Sequence, residues 1–210
     1  MLTISPLDGR YRNKTAKLVD YFSEESQLIL KCKIEIDYFI FLAQKLKLQL
    51  SNTNFSSLQI IRDNIDVNRI KEIELKTKHD IKAIEYYLRE KFEEHNIPHD
   101  NYLHFGLTSQ DINSLATSNT LQIFNSNLML ADLSILYNKL CRLADNCDVL
   151  FPARTHGQLA VPTNLKKEIN VFKQLNLKFN GNIHYEKTIL SSKPRCSSRR
   201  STRFKFLAHP

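Results

Sequence analysis

The feature that most constrains this chain is a long interval without helix breakers. Residues 107–151 contain neither glycine nor proline. Apolar residues in this interval recur at spacings of three, four and their sums, which place them on one side of a helix. The pattern predicts a helix from Ser109 to about Asn146, roughly 55 Å long at a rise of 1.5 Å per residue. A helix of that length is typical of a bundle or a coiled coil.

Three further segments also read as helices, so the sequence predicts an all-α fold. The segment after Ser23, which can cap a helix, runs to about Leu48; the others are 80–94 and about 163–179. Apolar residues in the first two have helical spacings, and the third is amphipathic. We find no convincing alternating strand, no internal repeat and no glycine-rich phosphate loop.

The charge of the chain is concentrated at its C-terminal end. The net charge is +8, yet residues 182–210 hold seven of the 30 lysines and arginines and only one of the 22 acidic residues. The body is therefore nearly neutral, which argues against a nucleic-acid-binding fold. The polar, aperiodic end predicts disorder. The chain has no membrane-spanning apolar run, no secretory signal and no cysteine pattern typical of zinc sites, so we expect a cytoplasmic protein that binds no membrane.

Three of the four glycines lie among polar residues that could carry chemistry, at 8–11, 104–111 and 154–158. Glycine in a helical chain marks sharp turns, and turns between helices are places where a bundle exposes a site. His156 should lie on a loop, where a histidine can act as a general acid or base. The alternative is a turn histidine bonded to a nearby carbonyl, and the polar neighbours make the two readings equally weighted.

Other polar groups occur at predicted helix boundaries. Thr108 and Ser109 can cap the long helix, or offer hydroxyls and backbone N–H groups to a carboxylate or phosphate. His79 and Asp80 open another helix, where the aspartate can orient the histidine. In isolation, simple capping explains both pairs better.

Arg10 and Tyr11 follow a turn at Asp8–Gly9. Together they offer a guanidinium fork and a phenol to a phosphate. The alternative is an ordinary surface arginine, which is common.

Taken together and in order, four strings resemble the adenylosuccinate lyases of the fumarase/aspartase superfamily. They are SPLDGRY at 5–11, KHDIKAIEYYL at 78–88, HFGLTSQDIN at 104–113 and RTHGQ at 154–158. The resemblance covers about residues 3–180. It implies a cofactor-free and metal-free β-elimination that releases fumarate from adenylosuccinate, leaving AMP, and from the related succinylated carboxamide ribotide. Cationic and N–H groups must stabilise the extra negative charge on the carboxylate in such a reaction.

The resemblance also implies roles for particular residues. His156 would be the general acid and His79 a second catalytic residue. The substrate-binding residues would be Arg10 and Tyr11 for the phosphate, Lys78 and Asp80 along the substrate, Thr108 and Ser109 for the succinyl part, and Gln158. Lys78, Leu159 and Lys166 depart from the usual family pattern.

The resemblance ends near Gly181, before the loop that carries the serine expected to act as base. We therefore expect an N-terminal helical domain at 1–107, the first long helices of a superfamily bundle at 108–181, and a basic, disordered, non-family tail at 182–210. Such a truncated chain is expected to be inactive alone, whereas the intact family enzyme is expected to be a homotetramer. The alternatives are a non-catalytic helical interaction protein with lyase-like motifs and, more weakly, a nucleic-acid binder acting through the tail.

Overall fold

The structure, a computed structural model, describes residues 4–99, 102–153, 155–158 and 160–192, with only the backbone described for 180–192. It confirms the predicted all-α class. The chain divides into two compact units, the first reaching Thr120 and the second comprising Leu121–Ser192. The predicted domain limits of 1–107, 108–181 and 182–210 stay predictions.

The first unit consists of short helices followed by longer ones. In order they are α1 (Arg12–Thr15), a 3-10 turn (Ala16–Leu18), α2 (Val19–Phe22), α3 (Glu24–Leu46), α4 (Asn52–Asp63), α5 (Val67–Thr77), α6 (Asp80–Glu94) and the greater part of α7 (Ser109–Phe124). The predicted helices after Ser23 and from Asp80 are confirmed as α3 and α6. The sequence analysis did not identify α4 and α5.

Side-chain caps explain where several of these helices begin. The Ser23 hydroxyl accepts the Ser26 N–H at 3.1 Å, at the start of α3. At the start of α4, Ser51 and Asn54 each accept the other's backbone N–H, which forms a capping box. Asp66 accepts the Arg69 N–H at 3.1 Å and begins α5. These bonds satisfy N–H groups that have no partner inside the helix.

An apolar core formed by the described residues holds the first unit together. It draws mainly on α3, α4, α5 and α6, with Ile112 and Ala116 from α7. The Phe39 and Phe92 rings are fully buried and their centroids lie 5.0 Å apart. Tyr87 is also fully buried, and its hydroxyl accepts the Asp66 N–H at 2.9 Å. This core fixes the start of α6, where several predicted site residues lie.

The second unit comprises the end of α7, a π-helical segment (Asn125–Met129), α8 (Leu130–Asp145), β1 (Leu150–Phe151), β2 (Thr163–Asn164) and α9 (Leu165–Ser192). The backbone is thus helical over the predicted 109–146 interval, but the π-helical segment interrupts the α-helix. The strands β1 and β2 pair antiparallel, which the sequence analysis did not anticipate because each has only two residues.

Helix α9 extends beyond the predicted end of the last helix. The predicted helix ended near Phe179 and the disordered tail began at residue 182, whereas α9 runs to Ser192. A physical reason is that neither glycine nor proline occurs between Gly181 and Pro194. The predicted disorder of 193–210 concerns residues outside those described. Among the described helices, none combines the length and apolar character that a membrane crossing requires.

Candidate active site

His79 lies at the junction between α5 and α6. Helix α5 ends at Thr77, the backbone of Lys78 after it is left-handed with φ of 55°, and the chain then turns into α6. The His79 Nδ1 accepts the Lys82 N–H at 3.3 Å and caps α6. Its Nε2 lies 3.4 Å from the Ser109 Oγ at the start of α7. The structure therefore brings together two predicted site residues that are 30 positions apart.

Asp80, the neighbour of His79, is held by a residue that the sequence analysis missed. The Lys31 Nζ on α3 donates to the Asp80 Oδ2 at 2.7 Å, and the lysine side chain is only 15% exposed. Burial raises the pKa of Asp80, but the hydrogen bonds from Lys31 and the Ile81 N–H, with the charge of Lys31, outweigh burial and leave the pKa below its ordinary value. Asp80 is thus kept ionised.

Thr108 and Ser109 lie where the chain enters α7. The Thr108 backbone N–H and its hydroxyl both donate to the Asp111 Oδ2, at 2.8 and 2.9 Å. These two bonds tie Thr108 to the first turn of α7, and the predicted capping of α7 by the side chain of Thr108 or Ser109 stays a prediction. The Ser109 hydroxyl instead faces the His79 ring.

Side chains of α3 hold the turn that precedes Thr108 in place. The His104 Nδ1 pairs with the Glu35 Oε1 at 2.5 Å, and Glu35 is 1% exposed. One turn further along α3, the Tyr38 hydroxyl donates to the Phe105 carbonyl at 2.9 Å. Both His104 and Gly106 have positive φ, 55° and 71°, so the turn is sharp. Glycine adopts this conformation readily, which explains Gly106.

His104 is charged more readily than a free histidine. Its hydrogen bond with Glu35 raises its pKa; burial opposes this, and the charges of Glu35 and Glu85 raise the pKa further. The other Glu35 oxygen, Oε2, is buried and has no hydrogen-bond partner among the described residues. Sequence reasoning missed Glu35 because a single glutamate within an apolar helix carries no local signal of its partner.

Arg10 and Tyr11 occupy a separate turn of the first unit. The Tyr11 N–H donates to the Pro6 carbonyl at 2.9 Å, and the Thr15 hydroxyl donates to the Leu7 carbonyl at 3.1 Å. Both Arg10 and Tyr11 are exposed, and the Lys14 Nζ lies 5.7 Å from the centre of the Tyr11 ring. Two cationic side chains beside a phenol are suited to a phosphate.

His156 and Gln158 lie in the second unit, in the segment between β1 and β2. Both are exposed, and the Thr155 hydroxyl donates to the Gln158 carbonyl at 2.6 Å. Gly157 has φ of 78°, so glycine suits this turn. Arg154, which belongs to the same motif, lies outside the described residues.

The arrangement in the first unit has the components of an anion site with an acid–base group. The half-exposed His79 ring contacts the Ser109 hydroxyl where α7 begins, and Thr108 precedes Ser109 in the chain. Helix N-termini favour negative charge, and an imidazole there can donate or accept a hydrogen bond. Over the described residues, no group of three histidine, cysteine, aspartate or glutamate side chains could hold a metal ion.

Comparison with known proteins assigns the chain to a family. A model described as Lyase matches residues 9–197. The chain belongs to the lyase family. The matched range extends into the segment after Gly181 that the sequence analysis sets apart from family sequence.

The relatives confirm the resemblance to the N-terminal portion of adenylosuccinate lyases. The chain is 35% identical over 176 residues to adenylosuccinate lyase from Legionella pneumophila strain Corby, covering 79% of this chain and 39% of the relative. It is 35% identical over 186 residues to adenylosuccinate lyase from Dictyostelium discoideum, covering 82% and 40%. The chain therefore spans about 40% of the length of these relatives.

Solved structures agree on the fold. A fumarate lyase from Mesorhizobium sp. BNC1 superposes with a TM-score of 0.66 at 19% identity, covering 83% of this chain and 40% of that one. The 3-carboxy-cis,cis-muconate lactonizing enzyme from Pseudomonas putida superposes with a TM-score of 0.68 at 17% identity, covering 84% and 40%.

Proposed function

We propose that this chain is the N-terminal portion of an adenylosuccinate lyase, which cleaves a carbon–nitrogen bond by β-elimination. The substrates would be adenylosuccinate, giving AMP and fumarate, and the succinylated carboxamide ribotide of purine biosynthesis. The observation that carries the proposal is the contact between His79 and Ser109 at the start of two helices. It lies in a chain that is 35% identical over 176 residues to an adenylosuccinate lyase. The reaction would need neither metal nor cofactor, and it would take place in the cytoplasm.

The proposed roles follow the chemistry of the elimination. His156 would protonate the departing nitrogen, and His79 would donate a hydrogen bond to the substrate. Thr108 and Ser109 would hold the succinyl carboxylate, whose negative charge increases in the transition state. Arg10 and Tyr11 would hold the phosphate. Lys78, Asp80 and Gln158 would complete the substrate contacts.

The 210-residue chain is proposed to be inactive by itself. The base of the reaction is expected on a later loop whose Gly-Ser-Ser signature does not occur in this sequence. The complete enzyme is proposed to be a homotetramer. In the second unit, apolar side chains of α8 and α9 such as Ile135, Phe172 and Phe179 are 52–60% exposed, which is consistent with further helix packing.

The deciding experiment measures fumarate release from adenylosuccinate by the purified 210-residue chain. We expect none, and we expect release when the chain is extended with the C-terminal part of a relative such as the Legionella enzyme. In that fusion, His156→Ala and His79→Ala should each reduce kcat strongly, whereas the surface change His95→Ala should not. Release by the 210-residue chain that is lost in His156→Ala would refute the proposed inactivity. An inactive but folded and tetrameric fusion would favour the non-catalytic interaction protein.

A further inference from the structure

The tautomer of His79 can be read from the partners of its two ring nitrogens. Nδ1 accepts a hydrogen bond from the Lys82 backbone N–H, so that nitrogen carries a lone pair and no proton. In the neutral ring the proton then resides on Nε2, which faces the Ser109 hydroxyl. This tautomer presents an N–H donor at the proposed substrate site.

A hydrogen bond from the His79 Nδ1 to the neighbouring Asp80 carboxylate would compete with this arrangement. The Asp80 Oδ1 is 3.6 Å from the His79 Nδ1, slightly beyond hydrogen-bonding distance. An unrestrained carboxylate at this position would attract a proton onto Nδ1, because a carboxylate only accepts and Nδ1–H would be its donor. That proton would displace the Lys82 N–H from the cap. The neutral ring would then lose its donor at Nε2.

Lys31 binds the Asp80 carboxylate and so disfavours its bond with the His79 Nδ1. Its ammonium lies 2.7 Å from the Asp80 Oδ2, on the opposite oxygen from the one nearest His79. Lys82, two positions beyond Asp80, has its Nζ 2.8 Å from the Glu85 Oε2. Lys31 is therefore the cation that the structure pairs directly with Asp80.

We propose that Lys31 is a positioning residue: by engaging the Asp80 carboxylate it keeps His79 in the tautomer that carries its proton on Nε2. Lys31 then acts through Asp80 and need not touch substrate. The catalytic value of this tautomer rests on the proposed lyase function, but the tautomer itself does not. The proposal can therefore be tested without any turnover.

The test is NMR of the 210-residue chain labelled with 15N-histidine, with His79 signals assigned by their loss in His79→Asn. Long-range proton–nitrogen spectra distinguish a protonated from an unprotonated ring nitrogen. In wild type we expect Nδ1 unprotonated and Nε2 protonated. In Lys31→Met we expect the Nδ1 resonance to move toward the position of a protonated nitrogen. Lys31→Arg should retain the wild-type spectrum, as should Lys71→Met, which removes an exposed pair with Glu24.

A double variant separates the proposed effect from general disruption. In Lys31→Met combined with Asp80→Asn the competing carboxylate is absent, so the His79 spectrum should return to that of wild type. An unchanged spectrum in Lys31→Met, or an equal change in the double variant, would overturn the proposal. If Lys31→Met does not fold, Lys31→Gln, which keeps a donor but loses the charge, decides in the same way. Failure of the proposed lyase function would appear only in the fumarate assay and leave these spectra unaffected.

Discussion

Replacing Glu35 by glutamine tests whether a buried ion pair supports the turn before α7. Glu35 is 1% exposed and its Oε1 contacts the His104 Nδ1, whereas the other oxygen has no partner among the described residues. Glutamine preserves the shape and an acceptor but removes the charge. The change therefore converts a charge-assisted hydrogen bond into a neutral one. Hydrogen bonds to charged groups contribute about 1.5–3 kcal/mol and neutral ones about 1 kcal/mol.

We expect Glu35→Gln to lower the free energy of unfolding by about 1–2 kcal/mol near pH 6. The His104 pKa is raised in the folded state, so its contribution is fully present below the unfolded value of 6.5 and is lost as the pH rises through the folded pKa. The difference between wild type and Glu35→Gln should therefore shrink as the pH rises above about 6.5 and through the raised pKa of folded His104. This difference in the free energy of unfolding is measured by urea unfolding monitored by circular dichroism.

Glu90→Gln is a matched control, because the Arg69–Glu90 pair is exposed and lies apart from the turn. It should have little effect on the free energy of unfolding and should not reproduce the pH trend. Equal stability of wild type and Glu35→Gln near pH 6 would refute the reasoning. So would a difference that stays constant as the pH rises.

Three other measurements test the fold. Phe92→Ala removes a fully buried ring that packs against Phe39 and should cost about 3–5 kcal/mol in urea unfolding, and a cost below 1 kcal/mol would contradict the core assignment. Ser51→Ala removes the hydroxyl that caps α4 and should cost about 1 kcal/mol by the same assay, with no loss expected for the exposed Ser56→Ala. Light scattering should show self-association of the 210-residue chain, reduced by Phe172→Glu, because Phe172 is 60% exposed; a monodisperse monomer would refute this.

The helices that the sequence predicted were those with strong local signals. Helix α3 has Ser23 as its cap and a long apolar pattern, and α6 has a clear beginning and end, so periodicity and capping rules located both. Periodicity and capping rules did not locate elements whose sequence patterns are short or mixed. The two-residue strands are too short for any alternation, and α4 and α5 lie in a polar stretch whose caps, Ser51 and Asp66, are also common in turns.

The candidate site could be predicted only in part, because sequence motifs identify residues at turns but not the side chains that hold them from the core. His79, Asp80, Thr108 and Ser109 all follow from motifs at helix boundaries. Lys31, which binds Asp80, lies inside α3, as do Glu35 and Tyr38, which bind the turn before Thr108. Apolar neighbours and helical spacing there give no indication of chemistry.

The spacing of these three residues on α3 has a physical consequence for the site. Lys31, Glu35 and Tyr38 are separated by four and three positions, so they share one face of the helix. Lys31 reaches Asp80, Glu35 reaches His104 and Tyr38 reaches the carbonyl of Phe105. One rigid helix, itself anchored in the apolar core, thus fixes the segments entering both α6 and α7. Because the contact between His79 and Ser109 joins those segments, its geometry depends on α3, and core substitutions there should disturb the site before they unfold the chain.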